Sequence, residues 1–234
     1  MTKISKNTLR LIAAALCVAM LVFGGLIGKT AAALLEGDDA DLEMGMATVK
    51  VDLLENGNVV ASSGEEGILF ESISGTKADP GYTYQDTVAA RNSGNSPQYV
   101  RIIIKKYWTD ADGKVTTVDP ALIELTTGDG WFENADERST EQSVYYCKKS
   151  VAPGEDSAPL FTGVRINGSI AEEYKIEANA DDPNTLKATY AYDGLSFNVE
   201  AEAQAIQYEH ANEAVGSAWG VTGINFADGT VSKQ

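Results

Sequence analysis

Apolar positions along this chain recur mainly at every second residue. Ala47, Val49, Val51 and Leu53 alternate with Thr48, Lys50 and Asp52, which predicts a half-buried strand from Met46 to Leu54. Asn56-Gly57 then predicts a hairpin turn, because both residue types tolerate positive φ, and Val59-Val60 opens the return strand. Ile68 to Phe70 is a further short apolar run. Ala78-Asp79-Pro80-Gly81 predicts a tight turn, after which Tyr82, Tyr84, Val88 and Ala90 lie at even spacing. Asn92 to Pro97 is a loop of Asn, Ser, Gly and Pro. The strongest strand follows, Tyr99 to Trp108. Val100, Ile102, Ile104 and Trp108 mark one face, and Arg101, Lys105 and Tyr107 share the other with Ile103.

The second half repeats the theme less evenly. Asp110 to Gly113 is a turn, and Ala121 to Leu125 reads equally as a helical turn after Pro120 or a short strand. Asp129-Gly130 delivers Trp131 and Phe132. Ser143 to Lys149 alternates, with Tyr145 and Cys147 on one side and Val144 and Tyr146 on the other. Pro153-Gly154 turns the chain into a strand from Leu160 to Ile166, with Leu160, Thr162 and Val164 in phase, and Ile176 and Ala178 belong to a similar run. The last strand carries the stripe Leu195, Phe197, Val199, Ala201, Ala203 and Ala205, while Ile206 breaks the polar face of Asn198, Glu200, Glu202 and Gln204. Alanine is a poor strand former, so its repetition implies close approach of a facing layer. Ala211 to Trp219 predicts a short helix ended by Gly220, and Asp228 to Gln234 a frayed tail. Eight or nine strands between Gly, Pro and Asn turns predict an all-β fold: a jelly-roll-like β-sandwich over residues 46–227 with short helices in its connections.

Ahead of this domain the pattern is different. Lys3, Lys6 and Arg10 precede an uncharged stretch from Leu11 to Ile27, which exits through Thr30-Ala31-Ala32-Ala33. That order is a signal peptide over residues 1–33, with Ala31 and Ala33 as the small residues a signal peptidase requires. An uncleaved anchor is the alternative, but seventeen residues only reach the lower limit for a spanning helix. Cys17 follows the bulky Leu16, which does not suit a lipidation signal. Cleavage leaves Leu34 first and sends the remainder outside the cytoplasm. Residues 34–45 then form a leader in which Leu34, Leu35, Leu42 and Met44 stand among Glu36, Asp38, Asp39, Asp41 and Glu43. Such a segment is too short and too charged to fold alone.

Charge and composition narrow the function. The chain carries −16, and the first 33 residues hold four cations and no acid, so the mature chain carries −20. Nucleic acid and anionic membrane surfaces repel such a protein. Cys147 is the one mature cysteine, which excludes an intrachain disulfide framework. His210 is the only histidine, and no His-Glu-x-x-His pair is present, so the usual zinc peptidase helix is absent. Asp110, Asp112 and Gly113 begin like a calcium loop, but Lys114 and the missing closing glutamate refuse an EF-hand. No cofactor is expected. Tyr82, Tyr84, Trp108, Trp131 and Tyr145 are candidate carbohydrate platforms, with core packing as the competing reading.

The chain resembles the TasA/camelysin family of exported Gram-positive matrix-fibre proteins. The resemblance rests on Gly24-Gly25 before the exit, the strand Met46 to Leu54, and Pro80-Gly81 with the loop Asn92-Ser93-Gly94-Asn95-Ser96. It continues through Tyr99 to Trp108, Tyr145-Tyr146-Cys147-Lys148-Lys149, Val151-Ala152-Pro153-Gly154-Glu155, Pro159-Leu160-Phe161, and Leu195 to Gln207. The leader departs from the alanine- and threonine-rich start of many relatives. The resemblance implies a non-enzymatic subunit of an extracellular biofilm matrix, trimmed by a signal peptidase, whose freed N-terminal segment completes the sheet of its neighbour. Leu34, Leu35, Leu42 and Met44 would be the anchors of that donor segment, and its acids would make assembly depend on salt, low pH or, weakly, calcium. A non-polymerising adhesion or carbohydrate-binding module is the alternative. The metallopeptidase activity ascribed to camelysins finds no ligands here.

Overall fold

The alternation of apolar and polar residues resolves into antiparallel sheets. The computed structural model describes residues 47–74, 78–172, 174–179, 184–190 and 192–234. In chain order the first elements are β1 (Val51–Glu55), β2 (Asn58–Ser62), β3 (Glu66–Leu69), α1 (Glu71–Ser74), β4 (Thr83–Asn92) and β5 (Gln98–Asp110). Next come β6 (Gly113–Val115), β7 (Ile123–Thr127), β8 (Trp131–Glu133), β9 (Gln142–Cys147) and β10 (Phe161–Ile166). The last are β11 (Tyr174–Ala178), β12 (Leu186–Tyr190), β13 (Ser196–Gln207), α2 (Ala211–Trp219), β14 (Ile224–Ala227) and β15 (Thr230–Lys233). One sheet runs β2-β1-β4-β10-β7, and the facing sheet runs β3-β13-β5-β9-β8 with β6 attached to β5. The architecture is an all-β sandwich of jelly-roll type, with short helices in its connections.

The core lies between these sheets. Val51, Leu53, Val88, Ala90, Phe161 and Val164 point inward from the first, and Val100, Ile102, Ile104, Tyr145, Val199 and Ala201 from the second. The alanines of β13 meet close neighbours, as their sequence implied. Ala201 pairs with Gly67, where an added Cβ would come within 3.0 Å of Leu53 and 3.1 Å of Ala61. Ala121 to Leu125 contains both expected forms: a 3-10 turn, Pro120–Leu122, runs straight into β7. Asn56 and Gly57 have φ of 50° and 80°, the hairpin geometry their types favour.

Three sequence expectations need correction. The first strand begins at Val51, not Met46, and an irregularity between Leu53 and Leu54 buries both residues. In β10 a register shift between Phe161 and Gly163 breaks the expected phase, so Phe161, Val164 and Ile166 are buried while Thr162 is not. Residues 228–234 do not fray. Asp228 and Gly229, with φ of 49° and 76°, turn β14 into β15, and Val231 is buried.

This last hairpin and α2 build a second, smaller core on the back of the β13-β5-β9 sheet. Ala211, Val215 and Trp219, spaced along one helical face, pack with Tyr99, Tyr146, Ile206 and Phe226. Gly220, at φ 68°, ends the helix. Ile206 breaks the polar face of its strand because that face is covered here.

Candidate functional site

The described chain begins in a hydrogen-bonded clamp around residues 48–50. Asn92 is fully buried; its Nδ2 donates to the carbonyls of Ser96 at 2.9 Å and Val151 at 2.8 Å, and its Oδ1 accepts from Gly94 N at 2.9 Å. The loop so formed grips residues 48–50. Thr48 N donates to Asn95 Oδ1 at 2.6 Å, Asn95 N to Thr48 O at 3.2 Å, and Ser93 N to Lys50 O at 3.1 Å. Gln98 Nε2 adds a 2.7 Å bond to Lys50 O. The Asn-Ser-Gly-Asn-Ser loop is therefore a clamp on residues 48–50, at the start of the described chain.

Beside the clamp lies an open sheet edge. β5 pairs with β13 along its whole length, Ser196 to Gln207, but on the other side β3 covers only Val199 to Glu202. Among the described residues no strand pairs with the free side of Ala203–Gln207. That edge borders a groove of about 370 Å³, lined by Val49, Ser63, Gly64, Ala203, Ala205, Ala218 and Trp219 together with the polar Glu202 and Gln204. Small side chains leave the space. A sheet edge without a strand partner, beside a groove of mixed polar and apolar lining, is what an added strand requires.

A polar network lies beneath this edge. Gln204 Oε1 accepts from Arg101 Nε at 2.9 Å and from Nη2 at 2.8 Å, and Arg101 Nη1 donates to Glu137 at 3.0 Å. Tyr146 donates to Glu137 at 2.6 Å, and the Arg101 guanidinium stacks 4.7 Å from the Trp219 ring centre. Burial first, and then the hydrogen bond to Glu137, pushes the Tyr146 hydroxyl well above its ordinary pKa. Arg101, which the alternation assigned to a polar face, is thus a buried support.

The remaining sequence candidates separate clearly. Ala31, Ala33, Leu34, Leu35, Leu42 and Met44 lie outside the described residues. Trp108, Trp131 and Tyr145 are core residues, and only Tyr82, 60 % exposed and edge-on to Tyr84, is available as a platform. Cys147 is buried, and burial raises its thiol pKa, the opposite of an activated nucleophile. His210 is exposed, and its Nδ1 lies 2.7 Å from Glu213 Oε2. Asp110 Oδ1 accepts from Asp112 N at 2.8 Å, closing the β5–β6 hairpin. Among the described residues no three acidic, histidine or cysteine side chains converge on a metal-sized site. No helix among them is long and apolar enough to cross a membrane. The clamp and the open edge escaped sequence reasoning, since pairing partners are not written in alternation. No family model, curated protein or solved structure matches this chain.

Proposed function

We propose that this chain is a secreted structural subunit that polymerises head to tail, by donor-strand complementation, into extracellular matrix fibres. The observation that carries this reading is the edge Ala203–Gln207, unpaired among the described residues, beside the groove that Ala203, Ala205 and Ala218 help to line. The donor is the leader of another copy, residues 34–45, freed when the signal is removed after Ala33. Its backbone extends the β3 position along β13, and two or three of Leu34, Leu35, Leu42 and Met44 fill the groove. Each large apolar side chain so buried contributes about 1.5–3 kcal/mol before ordering costs, enough for a joint from a few anchors. Donor and acceptor surfaces differ, so the contact does not close on itself and a filament grows. The clamp at Thr48–Lys50 supports this reading, because it fixes where the donor leaves its own domain.

Electron microscopy and sedimentation of mature chain, with and without residues 34–44, test the proposal. Fibres from the complete mature chain and a folded monomer from the shortened one are the expected result. Identical fibres from both would overturn it.

A further inference from the structure

Two acids share the inward face of the first sheet where β1 ends. Glu55 stands opposite Val88 in the β1–β4 pairing, on the face that Val88 turns to the core. Asp86 lies two residues before Val88 on β4 and shares that face. The two acids are therefore diagonal neighbours across the strand pair, a spacing of about 7–8 Å that long side chains span. Asp86 is 5 % exposed, and its Oδ1 has no hydrogen-bond partner. Glu55 is half-buried, and its Oε1 accepts from Phe70 N at 2.5 Å, just past the end of β3 in the facing sheet. Burial first, and then the charges of Asp86 and Glu71, raise the Glu55 pKa, so the three carboxylates lie within electrostatic reach of one another. No ion pair among the described residues involves any of them. A buried carboxylate oxygen with no donor is costly, and a second carboxylate beside it adds to the need for positive charge.

We infer that Glu55 and Asp86 bind one calcium ion, with Asp86 Oδ1 and Glu55 Oε2 as protein ligands and water completing the shell. The donors select the ion. Carboxylate oxygens suit a hard cation rather than zinc. Calcium accepts an irregular shell, whereas magnesium demands a near-ideal octahedron. The half-buried Glu55 gives the ion a path from solvent. Among the described residues no third acid, histidine or cysteine converges to close the site. Affinity therefore belongs to the weak class, a dissociation constant of about 0.1–1 mM. The bound ion ties β1 to β4 and, through the Glu55 bond to Phe70, braces the first sheet against the second. The inference stands apart from the fibre reading, because it places calcium inside the domain and not on the acidic leader.

Melting curves and calorimetric titration of the mature chain at neutral pH test it, in chelator and in about 10 mM calcium, well above that dissociation constant. Calcium should raise the wild-type melting temperature by about 3 °C or more, and calorimetry should count one ion per chain in this affinity range. Asp86→Asn, which relieves the uncompensated charge in chelator, should lose both the shift and the ion, and so should Glu55→Gln. A chain carrying Asp38→Asn with Asp39→Asn in the leader should keep both. Sodium chloride of equal ionic strength should not reproduce the wild-type shift. An Asp86→Asn chain that calcium shifts as far as wild type would mean diffuse binding to an acidic surface and would overturn the inference. A wild type that calcium leaves unmoved would overturn it too.

Discussion

The carbonyl oxygen of Thr48 occupies the space that a side chain on Gly94 would need. Gly94 is not in the left-handed region, so the requirement for glycine is one of space, not of φ. Backbone is the obstacle, and backbone moves only with its hydrogen bonds. Gly94→Ala should therefore cost about 1–3 kcal/mol, as overpacking does. It should also open the clamp selectively, so that amide exchange quickens at Thr48, Ser93 and Asn95 before it quickens in β5. Uniform exchange across the domain would refute a local clamp.

Arg101 and Glu137 are a largely buried pair, with 7 % and 18 % of their side chains exposed. Removing one partner leaves the other charge without compensation in an apolar setting beneath Trp219. Glu137→Leu should cost about 3–5 kcal/mol, and the double change Arg101→Met with Glu137→Leu should recover much of it. Urea denaturation of the single and double variants measures both. A double variant as weak as the single one would assign the support to the Tyr146 and Gln204 contacts instead.

Sheet layers were legible where alternation is strict. In β9, Tyr145 and Cys147 enter the main core while Val144 and Tyr146 enter the smaller one, as period two dictates. Legibility failed wherever one residue was added or a second layer intervened. The irregularity at Leu53 and Leu54 and the shift at Phe161 each bury consecutive residues, and α2 turns Ile206 from an exception into a core residue. Asp228-Gly229 between Phe226 and Val231 is a hairpin dipeptide of the same kind as Asn56-Gly57. The open edge at Ala203 had no such signal, because it arises from β3 being shorter than β13.

Asp86 is 5 % exposed, and its Oδ1 has no partner among the described residues. Burial raises its pKa, against the lowering effect of hydrogen bonds from Asn56 and Thr87; Glu55 is raised too, by burial first, with the Asp86 charge adding to the rise. An acid raised in the folded state binds its proton more tightly there than in the unfolded chain. Stability from these two groups is therefore lowest at neutral pH. It grows as pH falls through their folded pKa values and is complete below the ordinary carboxylate range. Asp86→Asn should melt higher than wild type at pH 7, and the difference should shrink toward pH 4. Melting curves across that range check it; a variant advantage that widens in acid would reverse the sign.

Ala218 offers the sharpest test of the groove proposed as the acceptor. It is exposed on α2 and lines the groove beside Ala203 and Ala205, while the buried face of the helix is Ala211, Val215 and Trp219. A bulky residue there fills the space an incoming anchor needs and leaves the core alone. Ala218→Trp in the mature chain should fold with a melting temperature within a few degrees of wild type and fail to form fibres. Ala218→Ser, which keeps the groove open, should polymerise normally. The donor of the Ala218→Trp chain remains intact, so it should still cap the growing end of wild-type fibres and shorten them when mixed in. Electron microscopy of the variant, the serine control and the mixture reads all three outcomes. Full-length fibres from Ala218→Trp alone would show that the donor strand docks somewhere other than the β13 edge.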